Sequence, residues 1–291
     1  MRLWLIAFAF MVLSAAYQRV TGPTFPYLGI AHVDGQAVHF KLPRSAVSEA
    51  PLVITIPHAP KTMKASLGWR LHHDTGPYTI VLMERNGEAL QAQLPGLPPG
   101  VKIEYRVSIK TADGQLVIPA RRDVVLRFKG DIPPWALIPH ISFLLLAVLF
   151  GMRTLLEALY RRPRLRLFAW LACACIIIGG MLLGPLVQWF AFGAWWTGIP
   201  FGWDVTDNKT LFMLLCWIGV LIAIHRHDQP TRRSRRMIIV GAAVMLIVYL
   251  IPHSLFGTEV RLEQAVPGAA AFPSAPPAAA PAVPAPQPAG K

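Results

Sequence analysis

The stretch Trp135-Ala-Leu-Ile-Pro-His-Ile-Ser-Phe-Leu-Leu-Leu-Ala-Val-Leu-Phe-Gly-Met152 decides the class of this protein. Across residues 135–152 there is no Asp, Glu, Lys or Arg, and arginines begin immediately after it, at Arg153. Such a run approaches the roughly 20 apolar residues that a bilayer core requires. Working outward, residues 167–190, 210–224 and 237–251 have the same character. The last two are short, and Trp203 before one and Tyr249 near the end of the other supply the interfacial side chains that let a short span settle. A fifth stretch, residues 3–16, follows Met1-Arg2. It reads equally as a signal peptide, with Leu13-Ser-Ala-Ala16 offering small residues near a cut, and as an anchor. Composition agrees, since 54% of the 291 residues are hydrophobic and only 15% charged, a balance foreign to soluble domains.

The charges orient these segments without having entered their selection. Arg153, Arg161, Arg162, Arg164 and Arg166 lie between the first and second strong spans; Arg226, Arg232, Arg233, Arg235 and Arg236 lie between the third and fourth. The intervening loop, residues 191–209, carries two aspartates and one lysine. The bias of Lys and Arg toward the cytoplasm puts both arginine hairpins inside and everything between residues 21 and 130 outside. The expected location is a bacterial inner membrane, with residues 21–130 and the C-terminal tail on the periplasmic side. A net charge of +13 would otherwise suggest nucleic acid, but ten of the positive charges face lipid headgroups in this arrangement, each contributing about 1 kcal/mol. Membrane lipids are therefore the expected partners, and nucleic acid is not. The cysteines, Cys173, Cys175 and Cys216, all fall in apolar runs, which excludes a secreted disulfide framework.

Between the N-terminal segment and the first strong span the pattern changes to short alternating runs. Ile103, Tyr105, Val107 and Ile109 alternate with Glu104, Arg106, Ser108 and Lys110, the period of a strand buried on one face. Asp113-Gly114 reverses the chain into residues 115–118, and Asp34-Gly35 does so between 29–33 and 37–42. Residues 52–56, 65–72, 78–85, 89–94 and 124–128 complete about eight or nine strands, the spacing of an all-β sandwich. The segment Leu94-Pro-Gly-Leu-Pro-Pro-Gly-Val-Lys-Ile-Glu-Tyr-Arg-Val107 resembles a fibronectin type III or immunoglobulin-like module, in which a proline-glycine turn leads into a Tyr-x-Val strand. That resemblance implies a binding or spacing module. The domain's histidines, His32, His39, His58, His72 and His73, show no metal-ligand spacing, and the adjacent pair on a strand would point to opposite faces. Lys129-Gly-Asp-Ile-Pro-Pro-Trp135 then enters the membrane directly, stiffened by two prolines. A fixed attitude over the bilayer is expected.

The richest loop is Gly184-Pro-Leu-Val-Gln-Trp-Phe-Ala-Phe-Gly-Ala-Trp-Trp-Thr-Gly-Ile-Pro-Phe-Gly-Trp-Asp-Val-Thr-Asp-Asn-Lys209. An aromatic belt at the headgroup level accounts for its tryptophans, though less well for Gly193, Gly198 and Gly202 between them. His140, after Ile138-Pro139, and His253, after Ile251-Pro252, fall at the same outer level, and a histidine at membrane depth is a functional candidate. Hydrogen bonding to backbone groups freed by the prolines is the competing role. A histidine, a tryptophan-rich loop ending in Trp-Asp and a second histidine, in that order, resemble the heme-handling membrane proteins of cytochrome c maturation. The resemblance implies heme as cofactor, His140 and His253 as axial ligands, and Trp195, Trp196, Trp203 and Asp204 as the platform.

Other chemistry is sparse. Cys173 and Cys175 lie two apart on a helix and face different directions, so they do not form a redox pair. The spans have almost no charge at mid-depth, which argues against an ion-coupled transporter; Glu157 with Arg153 reads as a helix ion pair. Asp207 or Asn208 would cap a helix beginning near Thr210. No catalytic or metal-binding motif is present. From Ala265 onward the chain is alanine and proline, a composition that buries no core.

The fold class expected is a helical transmembrane bundle of four spans plus an N-terminal signal or anchor helix, with an extracytoplasmic β sandwich. Its divisions are residues 1–20, the β domain 21–130, the bundle 131–257 and the tail 258–291. Two functions fit: an accessory or scaffold whose β domain binds an extracytoplasmic or membrane protein partner, and a heme- or metal-handling redox protein using His140, His253 and the loop 189–204.

Overall fold

A computed structural model describes residues 1–111, 114–161, 163–225 and 231–252. His253, the remainder of the 253–257 segment and the 258–291 tail lie outside the described residues, as do Asp113, Arg162 and Arg226.

Among the described residues the β domain holds eleven strands: β1 (Tyr27–Val33), β2 (Gln36–Leu42), β3 (Ser45–Val47), β4 (Leu52–Ile56), β5 (Lys64–Leu71), β6 (Thr79–Leu82), β7 (Glu84–Asn86), β8 (Ala89–Leu94), β9 (Lys102–Thr111), β10 (Gly114–Ile118) and β11 (Val124–Lys129). The β1–β2 hairpin turns on Asp34 and Gly35 at φ 47° and 79°, the two left-handed residues that a two-residue hairpin loop needs. The alternating strand is β9, which buries Ile103, Tyr105, Val107 and Ile109 completely. It is the spine of a six-stranded sheet ordered β3-β11-β9-β5-β6, with β10 also on β9, while β4-β8-β7 form a three-stranded sheet. All but one of the pairings are antiparallel; β3 runs parallel to β11. Side chains from all three sheets meet in one core around Leu42, Ile54, Leu67, Leu94, Tyr105 and Phe128. This is an all-β region of antiparallel sheets, compatible with a sandwich.

Two expectations need correction. Residues 78–85 are not one strand: Met83, buried, donates its N–H to the Ala65 carbonyl, and the chain passes there from the six-stranded sheet to the three-stranded one. Strand β5 ends at Leu71, so His72 and His73 sit on a turn, His73 at φ 66°. Their rings lie 3.9 Å apart on centroids instead of pointing to opposite faces.

Among the described residues four helices are long and apolar enough to cross a membrane: α1 (Arg2–Thr21), α2 (Pro134–Leu159), the continuous helix Leu165–Phe192, and α5 (Val205–His225). The third consists of α3 (Leu165–Cys175), a π-helical stretch (Ile176–Leu183) and α4 (Gly184–Phe192). The remaining helix, α6 (Arg232–Leu250), begins earlier than the apolar stretch 237–251 because Thr231 caps it, accepting from the Ser234 N–H at 3.1 Å. Four arginines occupy its first turns, and the apolar part behind them, 14 residues from 237 to 250, measures about 21 Å. The helices pack around Ala147, Met152, Trp217 and Met245; Gly241 lets α6 approach Val220 of α5, where a Cβ would come within 2.8 Å of the Val220 side chain. Leu5, Leu13, Ile138, Leu182, Ile222 and Ile247 face outward, the dress of a bundle in an apolar surround. Arg153 and Glu157 do form the helix ion pair, at 2.5 Å, and Cys173, Cys175 and Cys216 are free thiols.

Candidate functional site

The β domain meets the helices at a short, bonded joint. Strand β11 ends at Lys129, and the next residue, Gly130, donates its N–H to the Ala191 carbonyl of α4 at 2.9 Å. A Cβ at Gly130 would run into the Phe190 carbonyl, so the joint closes only around glycine. Beside it the Arg127 guanidinium lies 4.0 Å from the Phe192 ring centroid, and Trp135, at the start of α2, meets Phe190 edge-on at 5.7 Å. Burial, with Arg127 and Arg19 nearby, pulls the Lys129 ammonium below its ordinary range.

Helix α4 stops at Gly193, φ 73°, a left-handed end that only glycine adopts without strain. The loop that follows folds back on α5 through one buried carboxylate. Asp207 accepts from the Thr197 N–H at 2.7 Å and its hydroxyl at 3.1 Å, and the Gln188 amide, turned to donate, reaches the other carboxylate oxygen at 2.9 Å. Asn208 accepts from the Ile199 N–H at 2.7 Å. Gly198 packs so tightly against Asp207 and Asn208 that a Cβ would come within 2.7 Å of both. These contacts explain Gly193 and Gly198, which a plain aromatic belt leaves unexplained. Helix α5 starts at Val205, ahead of Thr210, and its cap is Asp204, not Asp207 or Asn208. The Asp204 carboxylate accepts from the N–H groups of Thr206 at 2.7 Å and Asp207 at 3.2 Å.

The end of α6 is tied down at the same level. The Lys209 ammonium donates to the Ile251 carbonyl at 2.8 Å, and the Gln18 amide of α1 donates to the carbonyls of Tyr249 and Ile251. The last carbonyls of a helix have no intrahelical donors, so these side chains complete α6. Gln18, Gln188, Thr197 and Gly130 were not singled out from sequence; their roles depend on partners up to 233 positions away, and no local pattern marks them.

His140 is buried in α2, its Nδ1 2.8 Å from the Gly179 carbonyl in the π-helical stretch. Trp195 stacks on Trp189 at 5.1 Å, while the Trp196 indole N–H donates to the Ile199 carbonyl at 3.1 Å. Trp203 and Phe201 are more than four-fifths exposed. The loop therefore commits Trp196 and Asp204 to its own architecture, leaves Trp203 outward, and keeps His140 on the helix beneath. In the β domain His58 pairs with Glu88 at 3.1 Å, and His72 approaches Glu104 at 3.5 Å. Among the described residues no group of three or more His, Cys, Asp or Glu could hold a metal ion.

The other polar constellation lies on the exposed side of the six-stranded sheet. Tyr78 is held between two guanidinium groups, Arg70 at 4.4 Å and Arg106 at 4.1 Å from its ring centroid, and its hydroxyl donates to Asp123. Arg70 in turn pairs with Glu104. Burial and the hydrogen bond to Asp123 push the Tyr78 phenol up to about 12.

No protein-family model matches the chain, and no curated protein is similar to it at a significant level.

Proposed function

We propose that this chain is a multi-pass inner-membrane accessory or scaffold protein, whose β domain is held at a fixed attitude outside the cytoplasm to bind a protein partner within a membrane complex. The observation that carries the reading is the joint. A hydrogen bond from Gly130 to Ala191, an arginine against Phe192 and an aromatic contact between Trp135 and Phe190 dock the module on the helices, which suits a binding platform held in one attitude and not a domain that must move on a flexible linker. The residues at the site build a shelf: Asp207, Asn208 and Lys209 bond backbone groups of neighbouring segments, and Asp204 caps α5 itself. The orientation is supported by Arg153, Arg164, Arg166, Arg232 and Arg233, which lie at helix ends remote from the joint. The immunoglobulin-like reading of the β domain is supported by its three mainly antiparallel sheets closing on one core. The anchor reading of α1 is supported by Gln18 on α6 and by Trp4, which meets Phe150 and Phe168 edge-on.

Two measurements test this. A membrane-impermeant maleimide applied to intact cells with a permeabilised outer membrane should label a cysteine placed at Lys61 and not one at Arg233; the reverse pattern refutes the orientation. Purification in mild detergent should retain a stoichiometric partner and no chromophore, and Gly130→Ala should weaken that retention; a chain that always purifies alone removes the scaffold role.

A second reading, heme handling, is favoured by one feature. The Gly179 carbonyl can only accept, so its bond to His140 fixes the proton on Nδ1, a backbone orientation that metal-bound histidines also use. His140 would be one axial ligand and Trp203 an exposed platform residue. Titration with heme should then give a bis-histidine absorption spectrum that His140→Ala abolishes, and an unchanged spectrum ends that reading.

A further inference from the structure

At the end of the helices opposite the joint, the first turn of α1, the last turns of α2 and the turn into α3 border an open cleft of about 430 Å³, lined by Arg2, Leu3, Arg153, Glu157, Pro163 and Arg164. Three guanidinium groups face one carboxylate there, and that carboxylate is already engaged. Glu157, 1% exposed, pairs with Arg153 at 2.5 Å and accepts from the Arg164 backbone N–H at 3.1 Å. Arg153 is only 9% exposed, with the rings of Trp4 and Phe168 at 5.3 and 5.1 Å from its guanidinium carbon. Its Nε and Nη1 have no hydrogen-bond partner among the described residues. Unmet donors on a buried cation are costly, and the three guanidinium groups with their one engaged carboxylate leave the cleft net positive. The first turn of α1, the positive end of its dipole, borders the same space.

We propose that this cleft binds the phosphodiester headgroup of an anionic phospholipid, with Arg2 and Arg164 at the rim and Arg153 beneath. A lipid fits better than a free phosphate because α1, whose first turn lines the cleft, exposes apolar side chains further along, Leu5 61% and Phe8 54%, against which an acyl chain can lie. Arg2 and Arg164 are exposed and can close over a phosphate without unfolding anything. The inference rests on the helices being a membrane bundle and is independent of the scaffold role. A chain that fractionates with membranes yet retains no lipid sinks this inference alone, whereas a chain absent from membranes sinks the reading beneath it.

The test is native mass spectrometry of the delipidated full chain in mild detergent, titrated with short-chain phosphatidylglycerol and, separately, phosphatidylcholine. One phosphatidylglycerol should be retained in preference to phosphatidylcholine. The Arg2→Gln/Arg164→Gln double variant should lower its affinity about thirtyfold, and each single variant about fivefold. Arg232→Gln/Arg233→Gln removes the same net charge from exposed positions on α6 and should lower affinity less than about threefold. Equal losses in the two double variants, or equal retention of the zwitterionic lipid, overturn the proposal. So does protection against heat by millimolar inorganic phosphate with none from phosphatidylglycerol, which would assign the cleft to a soluble anion.

Discussion

Replacing Gly130 by alanine is the most direct probe of the docked β domain. The joint's contacts are one backbone hydrogen bond, one guanidinium over an aromatic ring and one edge-on aromatic pair. At about 1 kcal/mol each they favour the docked state by about 3 kcal/mol, which leaves under about 1% of molecules undocked. A Cβ at position 130 collides with the Phe190 carbonyl, so the strand must lift. Lifting it loses the bond to Ala191 and loosens one aromatic contact, about 2 kcal/mol together. The undocked fraction should then rise to about 15%. Spin labels on cysteines at Glu84 in β7 and Phe212 in α5, both exposed, report this directly once Cys173, Cys175 and Cys216 are replaced. Pulsed dipolar spectroscopy should show one narrow distance in the parent chain and a broad second population in Gly130→Ala. Identical distributions would refute the argument that this glycine sets the attitude of the domain. Pro133 and Pro134 limit how far the domain can swing, so the second population should be displaced rather than featureless.

Three further outcomes follow from single contacts. Asp207→Ala removes the acceptor of two Thr197 bonds and the Gln188 amide, and should cost about 2–4 kcal/mol in detergent-to-SDS unfolding followed by tryptophan fluorescence; a change below about 0.5 kcal/mol means the carboxylate does not hold the loop. Intact mass of the membrane-extracted chain should include α1, and Gln18→Ala should lower stability by about 1–2 kcal/mol by baring the α6 carbonyls; a species beginning after Ala16 contradicts the anchor. Tyr78, raised from 10.0 to about 12, is neutral in the folded domain where the unfolded chain would ionise it. Its contribution to stability is full below pH 10 and falls as pH rises through about 12. Burial raises the Tyr105 phenol as well, so Tyr78→Phe should reduce the alkaline loss without abolishing it, as read by circular dichroism against pH; an unchanged profile refutes the Tyr78 assignment.

What is legible in the chain and what is not divide by the range of the interaction involved. Residues 135–152 announce a span because a bilayer-length apolar run needs no partner to be recognised, and Asp34-Gly35 announces a hairpin because left-handed backbone is a property of those two residues. The alternation of β9 is equally local, since one buried face imposes a period of two. Where sequence reading erred, a distant group intervened. The 78–85 strand breaks because Met83 bonds to Ala65, and three-residue β3 exists only because β11 lies beside it, too short to show any period of its own. The cap of α5 moved to Asp204 because Asp207, the candidate read from helix-start position, is drawn back to Thr197 by a loop whose path no local rule predicts. His140 is expected near the outer level because it opens a span on the side opposite the arginine clusters; its bond to Gly179 depends on the third apolar segment unwinding into a π-helical stretch opposite it. Sequence by itself thus determined which segments are apolar, which are pleated and where the arginines gather, because those follow from residue type and period. Only tertiary structure decided which polar atoms meet, because each such bond joins groups far apart in the chain and is stable only after packing has removed competing water.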